Sequence, residues 1–276
     1  MFEAKILADS TQVLNRRITT MELTYPRCIH SEFMTHRMFA RNAASSRAIP
    51  VRTMLERIEA DPFIPIEWGR NQAGMQAGTE IADARHARNE WVAGMRKAVQ
   101  TARALNALGL HKQIVNRVVE PWMWITVIAT GAGHAWENFF KLRCHPDAEP
   151  HIQRIAYMAR ALFDNNKPQC LEPGGWHLPL FGFDGDEAVA PADRRRIATA
   201  RCARVSYLTH DGKRDTEADI VLHDQLKKSG HWSPFEHVAM ASSGDITKPE
   251  MGGNLGAGWV QYRKMFDNEY CTNAGR

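Results

Sequence analysis

The sequence predicts an α+β fold, with a mixed or antiparallel sheet and a large helical portion. Three observations lead there. Short apolar–polar alternations open the chain at residues 2–7 and 17–25, the period of a half-buried strand. From about residue 80 to 165, segments of helical length follow one another, bounded by capping residues, prolines or glycines. Of the 276 residues, 44% are hydrophobic and 24% charged, the balance of a globular protein with a sizeable core.

Each element has its own signal. The two alternating runs are strands, with Asn15 a turn between them. Pro26 opens a helix, since proline suits a first helical turn; Ile29, Phe33, Met34 and Met38 are its buried stripe. If that helix continues, Arg37 and Arg41, four residues apart, share a face. Residues 43–78 form an ordered loop with a short helix over 51–60. Thr79 caps a long helix to about Leu108, and Gly109 ends it. Helices are expected over 112–119, 122–129, 135–142 and 150–164, with Glu120-Pro121 breaking the first. Residues 165–191, rich in Pro and Gly, form a connector. Helices opened by Pro191 and Thr216 run to about Val205 and Lys228, and 237–242 reads as a strand. The tail holds a glycine cluster and the segment WVQYRKMF, which either closes over a site or packs the terminus. No repeat or low-complexity segment divides the chain, so residues 1–276 are expected to form a single domain.

Composition narrows the function. A net charge of +4 is well short of a dedicated nucleic-acid binder and suits a protein that handles small anions such as nucleotides. The most apolar stretch, WMWITVIAT from Trp122, is too short to cross a bilayer, so no membrane partner is expected. The opening MFEAKILADS has no basic segment followed by a long apolar run. Five cysteines stand at 28, 144, 170, 202 and 271, an odd count without CxxC spacing. That argues against a disulfide framework or a zinc site, and for a reducing, cytoplasmic setting.

Two strings carry chemistry. THRMFARNAASSR, residues 35–47, packs three arginines, a histidine, an asparagine and two serines into 13 positions. Arginine offers planar, charge-assisted forks and serine adds hydroxyl donors, so the cluster can bind phosphate. A solvated basic helix end running into a polar loop has the same composition. GHWSPFEH, residues 230–237, is the second string; a helix-to-strand turn with Phe235 in the core would also produce it.

Together these strings resemble the flavin-dependent thymidylate synthases, whose signature reads Arg-His-Arg, seven residues, then Ser, and which carry a GHxSPFEH segment. Here His36 and Arg37 are followed by seven residues and Ser45, with Asn42 and Arg47 also in place. Thr35 stands where the family has its first arginine, Ala43 where it has an acidic residue, and Glu32 where a glutamine precedes the motif. RCARVSY, residues 201–207, and TEADIVLHDQLKKSGH resemble the family's lead-in to SPFEH. GLHKQIVNRVVEPW resembles its nucleotide-arginine stretch through Arg117, and HAWENFFKLRC its flavin and base helix through His134, Asn138 and Arg143. The motif order is reversed relative to the family, which implies circular permutation and predicts that the strand near 237–242 lies beside the one near 17–25.

The resemblance implies an enzyme. It implies FAD held by His36, Arg37, His134, Asn138 and Ser233. Ser45, Arg47 and Arg117, with Asn42 beside them, would take the phosphate and sugar of dUMP. Arg143 would bind the pyrimidine edge and stabilise charge on the ring, and His231 would orient the flavin or move a proton; Arg143, Ser45 and His231 are thus the expected catalytic residues. Methylenetetrahydrofolate would be the carbon donor and NADPH the reductant, in a homotetramer with shared sites and no metal. No cysteine lies in a nucleophile setting: Cys28 and Cys202 read as core residues, and Cys144 follows Arg143. Two other readings stay open. One is a same-fold hydroxymethylase or related enzyme for a modified DNA base, with uracil or cytosine; the other is a basic nucleic-acid-binding module.

Overall fold

Five strands form the central sheet: β1 (Glu3–Gln12), β2 (Ile18–Pro26), β3 (Ala40–Ala43), β4 (Trp124–Ala132) and β5 (Gln169–Leu171). Their order is β3-β4-β2-β1-β5. All neighbours are antiparallel except β1 and β5, so the sheet is mixed. The β1–β2 hairpin turns at Asn15, which takes φ 56°, a left-handed conformation that asparagine tolerates. The computed structural model describes residues 1–183, 186–206, 215–242, 249–267 and 269. Tyr207 of RCARVSY, the tail segments 243–248 and 270–276, and Cys271 lie outside them.

Eight helices are described: α1 (His30–Met34), α2 (Val51–Ala60), α3 (Ala84–Ala107), α4 (Lys112–Val115), α5 (Gly133–Arg143), α6 (Pro150–Asn165), α7 (Pro191–Ala203) and α8 (Thr216–Ser229). Strand alternation gives the sheet two different faces. On one, Met21, Leu23 and Tyr25 of β2 and Ile125, Val127 and Ala129 of β4 pack against α5 and α6 through Trp136, Phe139, Phe140, Ile152 and Ile155. On the other, Ile18 of β2 packs with Ala239, Ala241 and Trp259 of a second sheet. That sheet is antiparallel, ordered β6 (Trp176–His177), β7 (Ala239–Ala241), β8 (Trp259–Gln261). A separate apolar cluster joins α2 and α3 through Met54, Leu55, Ile58, Met95 and Val99. No helix among the described residues is long and apolar enough to cross a membrane.

The fold class agrees with the sequence expectation, and several elements differ. The helix expected over 122–129 is β4, a central strand. Its apolar run is buried on both faces and so carries no helical period to distinguish it. The Pro26 helix stops at Met34, so Arg37 and Arg41 do not share a helix face, and Met34 and Met38 are exposed rather than buried. The long helix starts at Ala84, capped by Asp83 accepting from the His86 amide, not at Thr79. Pro121 lies inside a 3-10 turn, Asn116–Trp122, which tolerates it. Cys202 is buried as expected, but Cys28 is exposed. The strand at 239–241 does not pair with β2; it stacks across the sheet, because β1 and β4 already occupy both edges of β2.

Candidate active site

The THR segment leaves α1 in a tight turn fixed by its own side chains. Thr35 Oγ1 donates to the Glu32 carbonyl at 2.7 Å. Arg41 Nη1 donates to the carbonyls of Met34 at 2.7 Å and His36 at 3.3 Å. The helix end is thereby satisfied without further helical turns. The turn presses His36 inward, edge-on to Phe139 of α5 at 4.9 Å between ring centres, and it is 8% exposed.

Arg143, the last residue of α5, meets it there. Its Nε donates to His36 Nε2 at 2.9 Å, and its Nη1 lies 3.6 Å from the Glu32 carboxylate. Because Arg143 can only donate, His36 Nε2 must be a lone pair and Nδ1 must carry the proton. Burial, then the charges of Arg143 and Arg41, pull the His36 pKa down to about 4. Burial and the neighbouring Glu149 carboxylate push Glu32 up. A cation at a helix C-terminus is favoured by the helix dipole, so α5 supports Arg143 as well as aiming it.

The second motif packs on the strand that follows the His36 turn. The 3-10 turn Ser233–Glu236 packs on β3, which carries Arg41 and Asn42. Asn42 Nδ2 donates to the Cys202 carbonyl at 3.3 Å, and Asn254 Nδ2 to the Met38 carbonyl at 3.1 Å. Glu236 pairs with Arg263, while Tyr262 stacks on Phe235 at 5.6 Å. The WVQYRKMF segment therefore packs and clamps this turn. In the sequence, Arg41, Glu236 and Arg263 are marked only as charged members of their segments, with no sign of these partners.

The remaining expected residues fall into two groups. Ser45 and Arg47 lie on the loop after β3, which Asn116 holds through its Nδ2 to the Ser46 carbonyl at 2.7 Å and the Ile49 carbonyl at 3.0 Å. Arg117 follows Asn116, so the loop and Arg117 are neighbours; Arg117 Nε donates to the Gln113 carbonyl at 3.2 Å. Ser46 also borders a cavity of about 420 Å³ with Arg27, Arg57 and Trp124. His134 and Asn138 share an exposed face of α5. Arg143, five residues beyond Asn138 and nine beyond His134, points about 140° round the helix from the first and about 180° from the second. Arg37, Ser233 and His231 are exposed, and His231 Nδ1 is engaged by Ser229 Oγ at 2.8 Å.

A sequence profile described as thymidylate synthase complementing protein matches residues 6–169. The chain belongs to that family. It is accordingly an enzyme of the methyl-transfer type. The family match covers the THR segment, Arg117 and Arg143, while the SPFEH segment lies beyond it. No curated protein sequence matches the chain. Among solved structures, the UMP/dUMP methylase PolB from Streptomyces cacaoi bound with 5-Br UMP is 14% identical. That likeness covers 59% of this chain and 88% of that one, at a TM-score of 0.50. PolB bound with 5-Br dUMP is 17% identical over 53% of this chain and 65% of that one, at 0.43. At such identities the likeness speaks for the fold alone.

Proposed function

We propose that this enzyme adds a one-carbon unit from methylenetetrahydrofolate to C5 of dUMP, giving dTMP, with FAD as cofactor and NADPH as reductant. The observation that carries the proposal is the Arg143–His36 pair, 107 residues apart in sequence and 2.9 Å apart in space. The SPFE turn packs on β3, the strand that begins four residues after His36. Family membership supports the chemistry and a pyrimidine nucleotide as substrate, and the chain shares its fold with PolB, a UMP/dUMP methylase.

The residues present fit a flavin. Arg37, His134, Asn138 and Ser233 are exposed and offer both donors and acceptors for its phosphates and ring edge. Bound there, FAD would supply the hydride chemistry, which no amino acid side chain provides. Neutral His36, proton on Nδ1, would donate one hydrogen bond to it. Ser45, Arg47 and Arg117 would hold the nucleotide phosphate and sugar, and Arg143 would stabilise negative charge on the pyrimidine. His231 would orient the flavin or move a proton. Of these groups Arg37, Arg47, Arg117, His134, Asn138, His231 and Ser233 are exposed, and Met34, Met38 and Leu142 are exposed apolar side chains. A homotetramer that covers them would enclose the site and exclude water. In this proposal residues 1–276 act as one unit, with residues from His36 to Ser233 assigned to one site.

The test is direct. Purified protein is expected to be yellow with flavin absorption, and to convert dUMP to a product of thymidylate mass with folate and NADPH. A hydroxymethyl product would replace the methyl reading, and a colourless protein with salt-dependent polynucleotide affinity would end the proposal.

A further inference from the structure

Two buried histidines stand outside the chemistry above, and one polar chain joins them. Ser10 Oγ meets His177 Nδ1 at 2.8 Å, and His177 Nε2 meets Thr20 Oγ1 at 2.8 Å. Thr20 Oγ1 meets Thr130 Oγ1 at 2.6 Å, and Thr130 Oγ1 meets His237 Nδ1 at 2.8 Å. All five residues are buried, the two histidines fully. The chain starts at Ser10 on the wall of a cavity of about 760 Å³. It ends at His237 Nε2, which is buried and makes no hydrogen bond among the described residues. Thr20 and Thr130 face each other in register on β2 and β4, and Thr130 is also the register partner of Ala40 on β3. His237 closes the SPFE turn that packs on that same strand.

Proton counting leaves this chain two states. Burial holds both histidine pKa values to about 3, so each ring is neutral, with one N–H and one lone pair. Each threonine hydroxyl has one proton to give. If Thr20 donates to Thr130, Thr130 must donate to His237 Nδ1, and Thr20 must accept from His177 Nε2. Both rings then carry their proton on Nε2. If Thr130 donates to Thr20, every bond reverses and both rings carry it on Nδ1. Mixed states place two lone pairs or two protons face to face in a dry interior, where an unmet polar group is most costly.

We propose that Ser10, His177, Thr20, Thr130 and His237 form one directional hydrogen-bond relay that locks the two histidines in the same tautomer and positions the SPFE turn against β3. The positioning part rests on the proposed function, since it takes that turn as part of the active site. Apolar packing alone would let the turn slide; a chain of bonds with fixed directions sets its angle and depth.

Two measurements on the full chain test this. Histidine-labelled protein, read by long-range proton–nitrogen correlation at pH 7, should show both rings neutral and in the same tautomer. Opposite tautomers, or a protonated ring, overturn the relay, and this readout needs no variant. Calorimetric dUMP affinity is then compared between wild type, Thr130→Val and Thr130→Ser. The valine, which removes both of the Thr130 hydroxyl's bonds, should bind about tenfold more weakly, and the serine should restore binding. Equal affinity in valine and wild type overturns the positioning role. If wild type binds no dUMP, the proposed substrate fails, and the relay is judged by the ring tautomers alone.

Discussion

Arg143 and His36 need each other for different reasons. The guanidinium gives His36 a partner that fixes its tautomer, and His36 gives the arginine an acceptor at the end of α5. Removing the arginine therefore does two things at once. Arg143→Ala should lower turnover on dUMP by 100-fold or more, about 3 kcal/mol of lost transition-state stabilisation. It should also raise the His36 pKa from about 4 toward the ordinary histidine value, because a nearby cation and a bond to the neutral ring are both lost. Steady-state kinetics and a histidine NMR titration read these separately. Near-normal turnover would remove Arg143 from the site, whatever the titration showed. These residues were visible in the sequence only as matches to a motif. Nothing in spacing or composition announces that position 36 touches position 143, because tertiary pairing has no local period. The replacement of the family's first arginine by Thr35 does find a physical role here, in ending α1.

Helices were legible at the level of elements because their ends carry chemistry: Pro150 at a first turn with Glu149 as cap, Pro191 at another, Gly230 in the left-handed conformation after α8. The hairpin was legible from alternation and Asn15. What escaped was strand without alternation. β4 is covered on both faces, and β3 has four residues with no pattern at all. Yet β4 carries a constraint that sequence alone could not interpret. A Cβ at Gly131 would lie 2.5 Å from the Phe39 ring, and Phe39 packs 4.5 Å from Trp136 and leads directly into β3. Gly131→Ala must therefore displace Phe39, at a cost of about 1–3 kcal/mol in urea unfolding. The displacement should weaken dUMP binding too, since the His36 turn and β3 flank that ring. An alanine variant with wild-type stability would mean that the ring has room the packing denies.

Across the whole molecule, the changed motif order predicts that the strand near 237–242 lies beside the one near 17–25, and the two meet face to face rather than edge to edge. The C-terminal third does return to the N-terminal strands, but it lies on their free face, where Thr20 and Thr130 bond to His177 and His237. Burial there has a consequence for acid stability. Four histidines are held far below the ordinary value of about 6.5, His30 and His36 near 4 and His177 and His237 near 3, with burial the first cause in each. In the unfolded chain these rings would protonate near 6.5, so between pH 6.5 and 4 the unfolded state binds more protons than the folded one. Stability is thus fully present above pH 6.5 and is lost as pH falls through that window, by up to about 1.4 kcal/mol per pH unit for each of the fully buried rings, His177 and His237, and by less for the partly solvated His30 and His36. Urea midpoints should drop steeply from pH 7 to pH 5, before most carboxylates titrate. His177→Gln should flatten the slope even as it lowers stability at pH 7, because one proton uptake is gone. A midpoint unchanged between pH 7 and pH 5 would show that these rings are not held neutral by the fold, and the two-sheet interface would need another account.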